Sequence, residues 1–144
     1  MIFDSIPDEG EEVMDNTYDE NESIKIISQV DCGNAPKKEF LKQLMTAIAK
    51  KDISFITEFT TDAVSLKLVG DMTVQGKDRV VEILTNQFTN NIVQVEIFYI
   101  ITHGNTGAIN GTLTLEDNRR HSFCNVCDFV SGKNTIKEIT SYVI

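Results

Sequence analysis

Four stretches decide the fold: IVQVEIFYIIT (92–102), TGAINGTLTLE (106–116), RHSFCNVCDFV (120–130) and TIKEITSYVI (135–144). Each is rich in Val, Ile, Thr, Phe or Tyr, the residues that favour β-strands. The breaks between them carry turn chemistry, namely HGN (103–105), EDN (116–118) and SGKN (131–134). Long strands joined by short polar turns predict an antiparallel meander.

Such a sheet needs a layer over one face, and the preceding residues predict three amphipathic helices. Pro36 fits the first turn of a helix, and an apolar stripe follows it at helical spacing. Asp52 is expected to cap a second, short helix, and the third is expected over residues 77–88. Alternation predicts a hairpin between them, at 62–69 and 72–75. The expected inward residues are Phe40, Leu41, Leu44, Met45 and Ile48 of the first helix, Ile53, Phe55, Ile56 and Phe59 of the second, and Val80, Val81, Leu84 and Phe88 of the third.

The charge is concentrated at the amino end. Residues 1–31 hold ten acidic side chains against one base, Lys25, so their net charge of −9 equals that of the whole chain. We expect a flexible acidic arm over 1–31, because few apolar side chains there offset the entropy of ordering. Residues 32–144 are then one neutral domain. Residues 23–30 have β-character, so an added edge strand, or packing along the sheet, is an alternative for that part of the arm.

The same charge balance bears on partners and location. Neither part offers the basic surface that neutralises phosphates, so we expect no nucleic-acid partner. No apolar run approaches the roughly 20 residues that span a bilayer, and we expect a soluble, cytoplasmic protein without a membrane partner. Cys124 and Cys127 have a Cys-x-x-Cys spacing, but on a strand they point to opposite faces. We therefore expect no metal site, and no cofactor is indicated.

From about residue 35 to its end the chain resembles the NTF2-like superfamily, in particular its SnoaL-like and ketosteroid-isomerase-like members. The likeness is carried by the order and spacing of short motifs over roughly 110 residues. They are AKKD (49–52), FTTDAV (59–64), VG (69–70), VQGK (74–77), NVCDF (125–129) and Ile136. The resemblance implies an α+β cone, with three helices against a strongly curved antiparallel sheet that encloses a pocket. It also implies a homodimer through the sheet.

The same resemblance argues against steroid-type isomerisation. The position of the general-base Asp of isomerase-like members is Lys67 here, and the position of the oxyanion-stabilising Asp is Asn125. The Tyr that completes the oxyanion hole falls on Leu44. All three residue types differ from the pattern.

Alternation puts one row of the third long strand on the face that the resemblance makes the pocket. This row is His121, Phe123, Asn125, Cys127 and Phe129. Leu44 and Lys67 join it by position, and Ile139, Ser141 and Val143 of the last strand are expected to line the same cavity. The result is a mostly apolar site with a few polar groups, which is typical of small-molecule sites.

Two residues are candidates for catalysis. Lys67 would be an effective base or nucleophile if it were enclosed by apolar side chains, but a shift of one residue in register would put it outside the sheet. His121 has a side chain that suits a general base near neutral pH, and a structural histidine near a turn is the other interpretation. Asn125 is expected either to hold a ligand through its amide or to bond a neighbouring polar group.

These residues support three hypotheses. The first is a domain that binds a small hydrophobic molecule in its conical pocket. The second is a cofactor-independent isomerase, cyclase or hydrolase-type enzyme, with Asn125 orienting the substrate and Lys67 or His121 as base. The third is a protein-interaction module that acts through the open sheet face.

Overall fold

The computed structural model describes residues 24–33 and 35–144. The described chain folds into three helices and seven strands in the expected order of helix, helix, hairpin, helix and meander. The helices are α1 (Pro36–Lys50), α2 (Ile53–Glu58) and α3 (Lys77–Thr85). The strands are β1 (Lys25–Ser28), β2 (Thr60–Leu68), β3 (Thr73–Gln75), β4 (Ile92–His103), β5 (Thr106–Leu115), β6 (Arg120–Phe129) and β7 (Ile136–Val143).

All seven strands form one curved, unclosed sheet in the order β1-β4-β5-β6-β7-β2-β3. Strands β4 to β7 pair antiparallel, so the predicted meander is confirmed. The predicted hairpin is β2 and β3. Two pairs are parallel, β2 with β7 and β1 with β4, and the sheet is therefore mixed. With the helices against this sheet, the α+β cone is confirmed.

Strand β1 lies inside the range that we predicted as an arm. It pairs with β4 from Lys25 opposite Gln94 to Ser28 opposite Ile97. The backbone N–H of Gln29 extends this pairing by donating to the carbonyl of Ile97 at 2.9 Å. This part of the arm thus forms the edge strand named as the alternative. The rest of the predicted arm, residues 1–23, lies outside the described residues.

A bulge in β4 bends the sheet where that strand meets β5. Ile97 stands opposite Gly111, but the next partners are Tyr99 and Asn110, so Phe98 is an extra residue in β4. The side chain of Asn110 repairs the interrupted ladder, because its Oδ1 accepts the backbone N–H of Tyr99 at 3.0 Å. At Gly111 the strands approach so closely that a Cβ atom would lie 1.9 Å from the carbonyl oxygen of Glu96. Only glycine fits there.

Helix α1 lies in the hollow of this bent sheet. Its predicted stripe is buried, from Phe40 to Ile48. The approach to the sheet is close, since a Cβ atom on Gly107 would lie 2.6 Å from Cδ1 of Leu41. Among the described residues, no helix is both long and apolar enough to cross a membrane.

Two details of the smaller helices differ from expectation. Asp52 caps α2 as predicted, by accepting the N–H of Phe55 at 3.1 Å, but Ile53 is exposed because it is the first residue of that helix and lies away from the sheet. Helix α3 ends at Thr85, before Phe88. The side chains of Thr85 and Asn86 bond to carbonyls of the last turn there, which competes with further helix formation.

The close approach at Gly111 leads to a test of stability. We expect Gly111→Ala to lower the free energy of unfolding by about 2–4 kcal/mol, because the added methyl group forces two backbones apart. The neighbouring Thr112→Ala, on the outer face, is the control and should cost within about 1 kcal/mol. Urea unfolding followed by circular dichroism measures both values. Equal losses in the two variants would contradict the proposed constraint.

Candidate functional site

The concave face of the sheet carries one inward row on its central strand, β6. Its side chains alternate with those of outward residues such as Arg120, which is exposed. The buried members of the row are Phe123, Asn125, Cys127 and Phe129. These four predicted pocket residues therefore share one face, beneath α1.

Three more of the predicted pocket residues are buried, namely Leu44 on α1 and Ile139 and Ser141 on β7. Ser141 is the register partner of Asn125, so these two polar side chains are neighbours on one face. Val143 lies near the end of β7 and is 37% exposed. It borders the interior instead of lining it.

Lys67 does not face the interior, so the pocket position predicted for it is corrected. Its neighbour Leu66 is fully buried, and alternation along β2 sends Lys67 to the outer face, where it is exposed. It stands there between Thr73 of β3 and Thr140 of β7. Its ammonium group is therefore hydrated and is not enclosed by apolar side chains.

His121 lies at the open end of the inward row and is half-buried. Its Nδ1 is 3.3 Å from the carbonyl oxygen of Ile144, and its ring centroid is 5.0 Å from that of Phe88. Phe88 belongs to the irregular segment after α3 and is also half-buried. We call Phe88, His121 and Val143 the mouth of the cone. Asn125 lies four residues further along β6, a distance of about 13 Å at the usual rise of a strand.

The opposite end of the row is closed by aromatic packing. The ring of Phe40 lies 5.8 Å from that of Phe129 and 5.1 Å from that of Phe59. Nζ of Lys37 stands 3.9 Å from the centre of the Phe129 ring and donates to the carbonyl of Lys133 at 3.0 Å. Burial lowers the pKa of Lys37. These contacts close this end of the cone.

Asn125 is the one polar residue of the buried row, and it is only 7% exposed. Its Nδ2 donates to the sulfur of Met45 on α1 at 3.1 Å. Its Oδ1 is buried and accepts a hydrogen bond from none of the described residues. Ile109 of β5 and Ser141 of β7 flank it in the sheet. A buried carbonyl oxygen without a donor is rare in folded proteins, so Asn125 is the chemically distinctive point of the interior.

The two cysteines of the Cys-x-x-Cys spacing point to opposite faces of β6. Cys124 is half-buried on the outer face and Cys127 is fully buried on the inner one. Desolvation by burial, with a smaller effect of the Asp128 charge, raises the pKa of Cys127 to about 12. Its thiol is therefore neutral at physiological pH.

Two hollows lie away from Asn125. An open groove of about 260 Å³ runs along the outside of α1 and α2, between Lys42, Lys50 and Phe55. A hollow of about 10 Å³ lies behind Phe88, which is room for about one water molecule. Neither includes a predicted site residue.

Two residues of the site were not predicted from the sequence. Met45 was assigned to the buried stripe of α1, but no local pattern shows that its sulfur meets Asn125, 80 positions away. Phe88 was assigned to the buried side of a helix, whereas it lies beyond the helix end and covers His121. The turn residues 89–91 (TNN) were the available signal for an earlier helix end.

A curved sheet that holds a helix in its hollow and carries an inward polar residue defines a class of α+β domains with a conical interior. The family model described as the nuclear transport factor 2 (NTF2) domain matches residues 37–138. This chain therefore belongs to the NTF2 domain family. Strand β1 precedes the matched range. Among curated proteins, none matches the chain.

Solved structures are similar to the chain across the same region. An NTF2-like protein of unknown function from Cytophaga hutchinsonii is 20% identical, with a TM-score of 0.58 over 75% of this chain and 99% of that one. A putative ketosteroid isomerase from Kribbella flavida is 12% identical, with a TM-score of 0.65 over 75% and 77%. An epoxide hydrolase of M. tuberculosis, described as LEH-like, is 16% identical, with a TM-score of 0.62 over 75% and 82%. At these identities the likeness establishes the fold.

The pKa of Cys127 leads to a prediction of its reactivity. At pH 8 a thiol with a pKa of about 12 is ionised in about one molecule in ten thousand. We expect iodoacetamide to label the partly exposed Cys32 in the native protein and to leave Cys127 unmodified, while in urea both should react. Peptide mass spectrometry measures the two rates. Labelling of both cysteines at one rate without urea would contradict the inward position of Cys127.

Proposed function

We propose that this NTF2-family domain binds a small, mostly apolar molecule in the interior of its cone. The observation that carries the proposal is the buried Oδ1 of Asn125 on the concave face, which accepts a hydrogen bond from none of the residues that the structure describes. A buried polar atom without a partner costs about 1–3 kcal/mol, and a bound molecule that donates a hydrogen bond would offset that cost. The surrounding residues Ile109, Phe123 and Ile139 are apolar and buried, which suits the body of such a molecule.

The arrangement supports binding more than catalysis. The side chain of Lys67 is on the outer face of the sheet, and the thiol of Cys127 stays protonated. His121 is the remaining candidate base, but it stands at the mouth, about 13 Å along the strand from Asn125. A general base has to reach the proton that it removes within hydrogen-bond distance or through one water. A cofactor-independent enzyme with His121 as base is thus the alternative, for a substrate long enough to reach from Asn125 to the mouth.

The similar structures agree with a small-molecule role. The descriptions of two of them name a ketosteroid isomerase and an epoxide hydrolase, both of which act on small organic molecules. Others with the same fold are described as of unknown function. The cytoplasmic location expected from the sequence stays a prediction.

Ligand binding in the cone is tested by a pair of adjacent substitutions on β7. Ser141→Leu places a leucine beside Asn125, whereas Thr140→Leu places a leucine on the outer face. We expect the neutral fluorescent probe N-phenyl-1-naphthylamine to bind at one saturable site. Ser141→Leu should weaken its binding at least tenfold, and Thr140→Leu should leave it unchanged. Circular dichroism shows whether each variant is folded.

Equal binding to both variants would place the probe outside the cone. Failure of the folded wild-type protein to bind this probe or any molecule from a panel of small apolar compounds would overturn the proposed function.

A second proposal concerns the outer face of the sheet, where apolar side chains are exposed in two neighbouring rows. Ile101, Ala108 and Val126 follow one another across β4, β5 and β6. The next row runs through Tyr99, Asn110, Cys124 and Tyr142. Tyr99 is 66% exposed and Ile101 65%. We infer a homodimer through this face. A twofold axis brings the same rows of the two protomers together, and uncharged rows do not repel each other.

The dimer is tested with two variants, each of which replaces one exposed isoleucine with lysine. Ile101→Lys places a lysine in the outer face, and Ile53→Lys places one on α2, away from the sheet. We expect light scattering after size exclusion to give a dimer for the wild type and Ile53→Lys, and a monomer for Ile101→Lys. A monomeric wild type at high micromolar concentration would refute the homodimer and leave this face to a different protein partner.

A further inference from the structure

Asn125 and Ser141 form the polar part of the concave face. They are register partners on adjacent strands, and both are buried. The nearest inward neighbours along the two strands are Phe123, Cys127 and Ile139, all apolar or, for Cys127, a neutral thiol. Among the buried residues of β6 and β7 that the structure describes, this pair is therefore where a molecule in the cone would meet polar side chains.

Met45 determines which end of the Asn125 amide is free. A thioether sulfur only accepts hydrogen bonds, so the NH₂ group has to face Met45, as it does at 3.1 Å. The opposite orientation would set the carbonyl oxygen against the sulfur lone pairs. The free end of the amide is thus an acceptor, Oδ1, which lacks a donor among the described residues.

The charges around this acceptor disfavour an anion. The inward positions of β4 to β7 contain no lysine or arginine in the described chain, Lys67 is on the outer face, and Lys37 of α1 lies at the closed end of the row, over Phe129. A carboxylate next to Oδ1 would meet a second acceptor and would be desolvated without a counter-ion, which is costly. A neutral hydroxyl group meets neither penalty, since it donates to Oδ1. It is also able to accept from the hydroxyl of Ser141.

We propose that the molecule bound in the cone is a neutral alcohol, whose O–H donates to Oδ1 of Asn125 while its apolar body packs against the rest of the concave face. This inference rests on the proposed function and adds to it the polarity of the ligand. It distinguishes the interior from a site for a carboxylate or for a molecule that only accepts hydrogen bonds.

The test uses three probes with one ring and different polar groups, namely cyclohexanol, methoxycyclohexane and cyclohexanecarboxylate at pH 7. NMR titration of the ¹⁵N-labelled protein gives each dissociation constant and follows the side-chain amide of Asn125. We expect cyclohexanol to bind at least tenfold more tightly than the ether, with the carboxylate weakest. The Asn125 amide signal should shift with the alcohol.

Two variants relate this preference to the amide. Asn125→Leu removes the acceptor, keeps the branched shape of the side chain and should bring the alcohol and the ether within about twofold. Met45→Leu removes the sulfur that orients the amide. The amide is then free to turn its NH₂ group to the ligand, and ether binding should improve relative to alcohol binding.

The outcomes separate the two proposals. If the ether or the carboxylate binds to the wild type as tightly as the alcohol, the proposed polarity is wrong while binding in the cone stands. A tenfold preference that persists in folded Asn125→Leu would also overturn it. If no probe of the three binds, the apolar-probe experiment with Ser141→Leu decides whether the cone binds ligands at all, and the alcohol proposal is withdrawn in either case. The wild-type series needs no variant to fold.

Discussion

The bend of the sheet between β4 and β5 depends on one close approach of two backbones. A side chain at Gly111 would overlap the carbonyl oxygen of Glu96, and the extra residue Phe98 bends β4 at the same place. The bend allows strands on both sides to wrap α1, which in turn approaches β5 closely above Gly107. Without curvature, the stripe of α1 would touch the sheet along a line and leave apolar side chains in water. The cone therefore follows from a local backbone constraint combined with burial of one helix.

Because the sheet and α1 exclude water, the polar groups of the interior depend on hydrogen-bond partners inside the cone. On an exposed strand the amide of Asn125 would bond to water and contribute little. Under α1 it is removed from water, and among the residues that the structure describes its donor reaches only a thioether sulfur, which is a weak acceptor. Isoleucine or leucine at this position would fill the same space without an unpaired atom, and Ile109 and Ile139 do so on the neighbouring strands. The stability of the fold alone thus gives no reason for an amide here, and a binding role does.

Much of the fold was predictable because its signals are local. The strands β4 to β6 end where Gly, Asn and Asp residues occur, and alternation along β6 placed Asn125 on the inner face and Cys124 on the outer one. Non-local features were not predictable in the same way. The side of the sheet that Lys67 faces depends on the register of β2 against β7, and a single-residue difference reverses it. The contact of Met45 with Asn125 joins a helix to a strand 80 residues later, and no periodicity in either segment encodes it.

At position 125 this chain has an amide where the resemblance implies an acid. The interior therefore keeps a polar group at this position, but that group forms different hydrogen bonds. The resemblance to isomerase-like members implies an oxyanion-stabilising acid at this position, and a carboxylic acid stabilises an oxyanion as a donor while it is protonated. A carboxyl group here would have the sulfur of Met45 as neighbour and no inward lysine or arginine on the described strands β4 to β7. Desolvation would keep that acid neutral and able to donate. Asn125 instead uses its donor on Met45 and leaves an acceptor free among the described residues, so the ligand that we propose is the opposite partner, a molecule that donates the hydrogen bond.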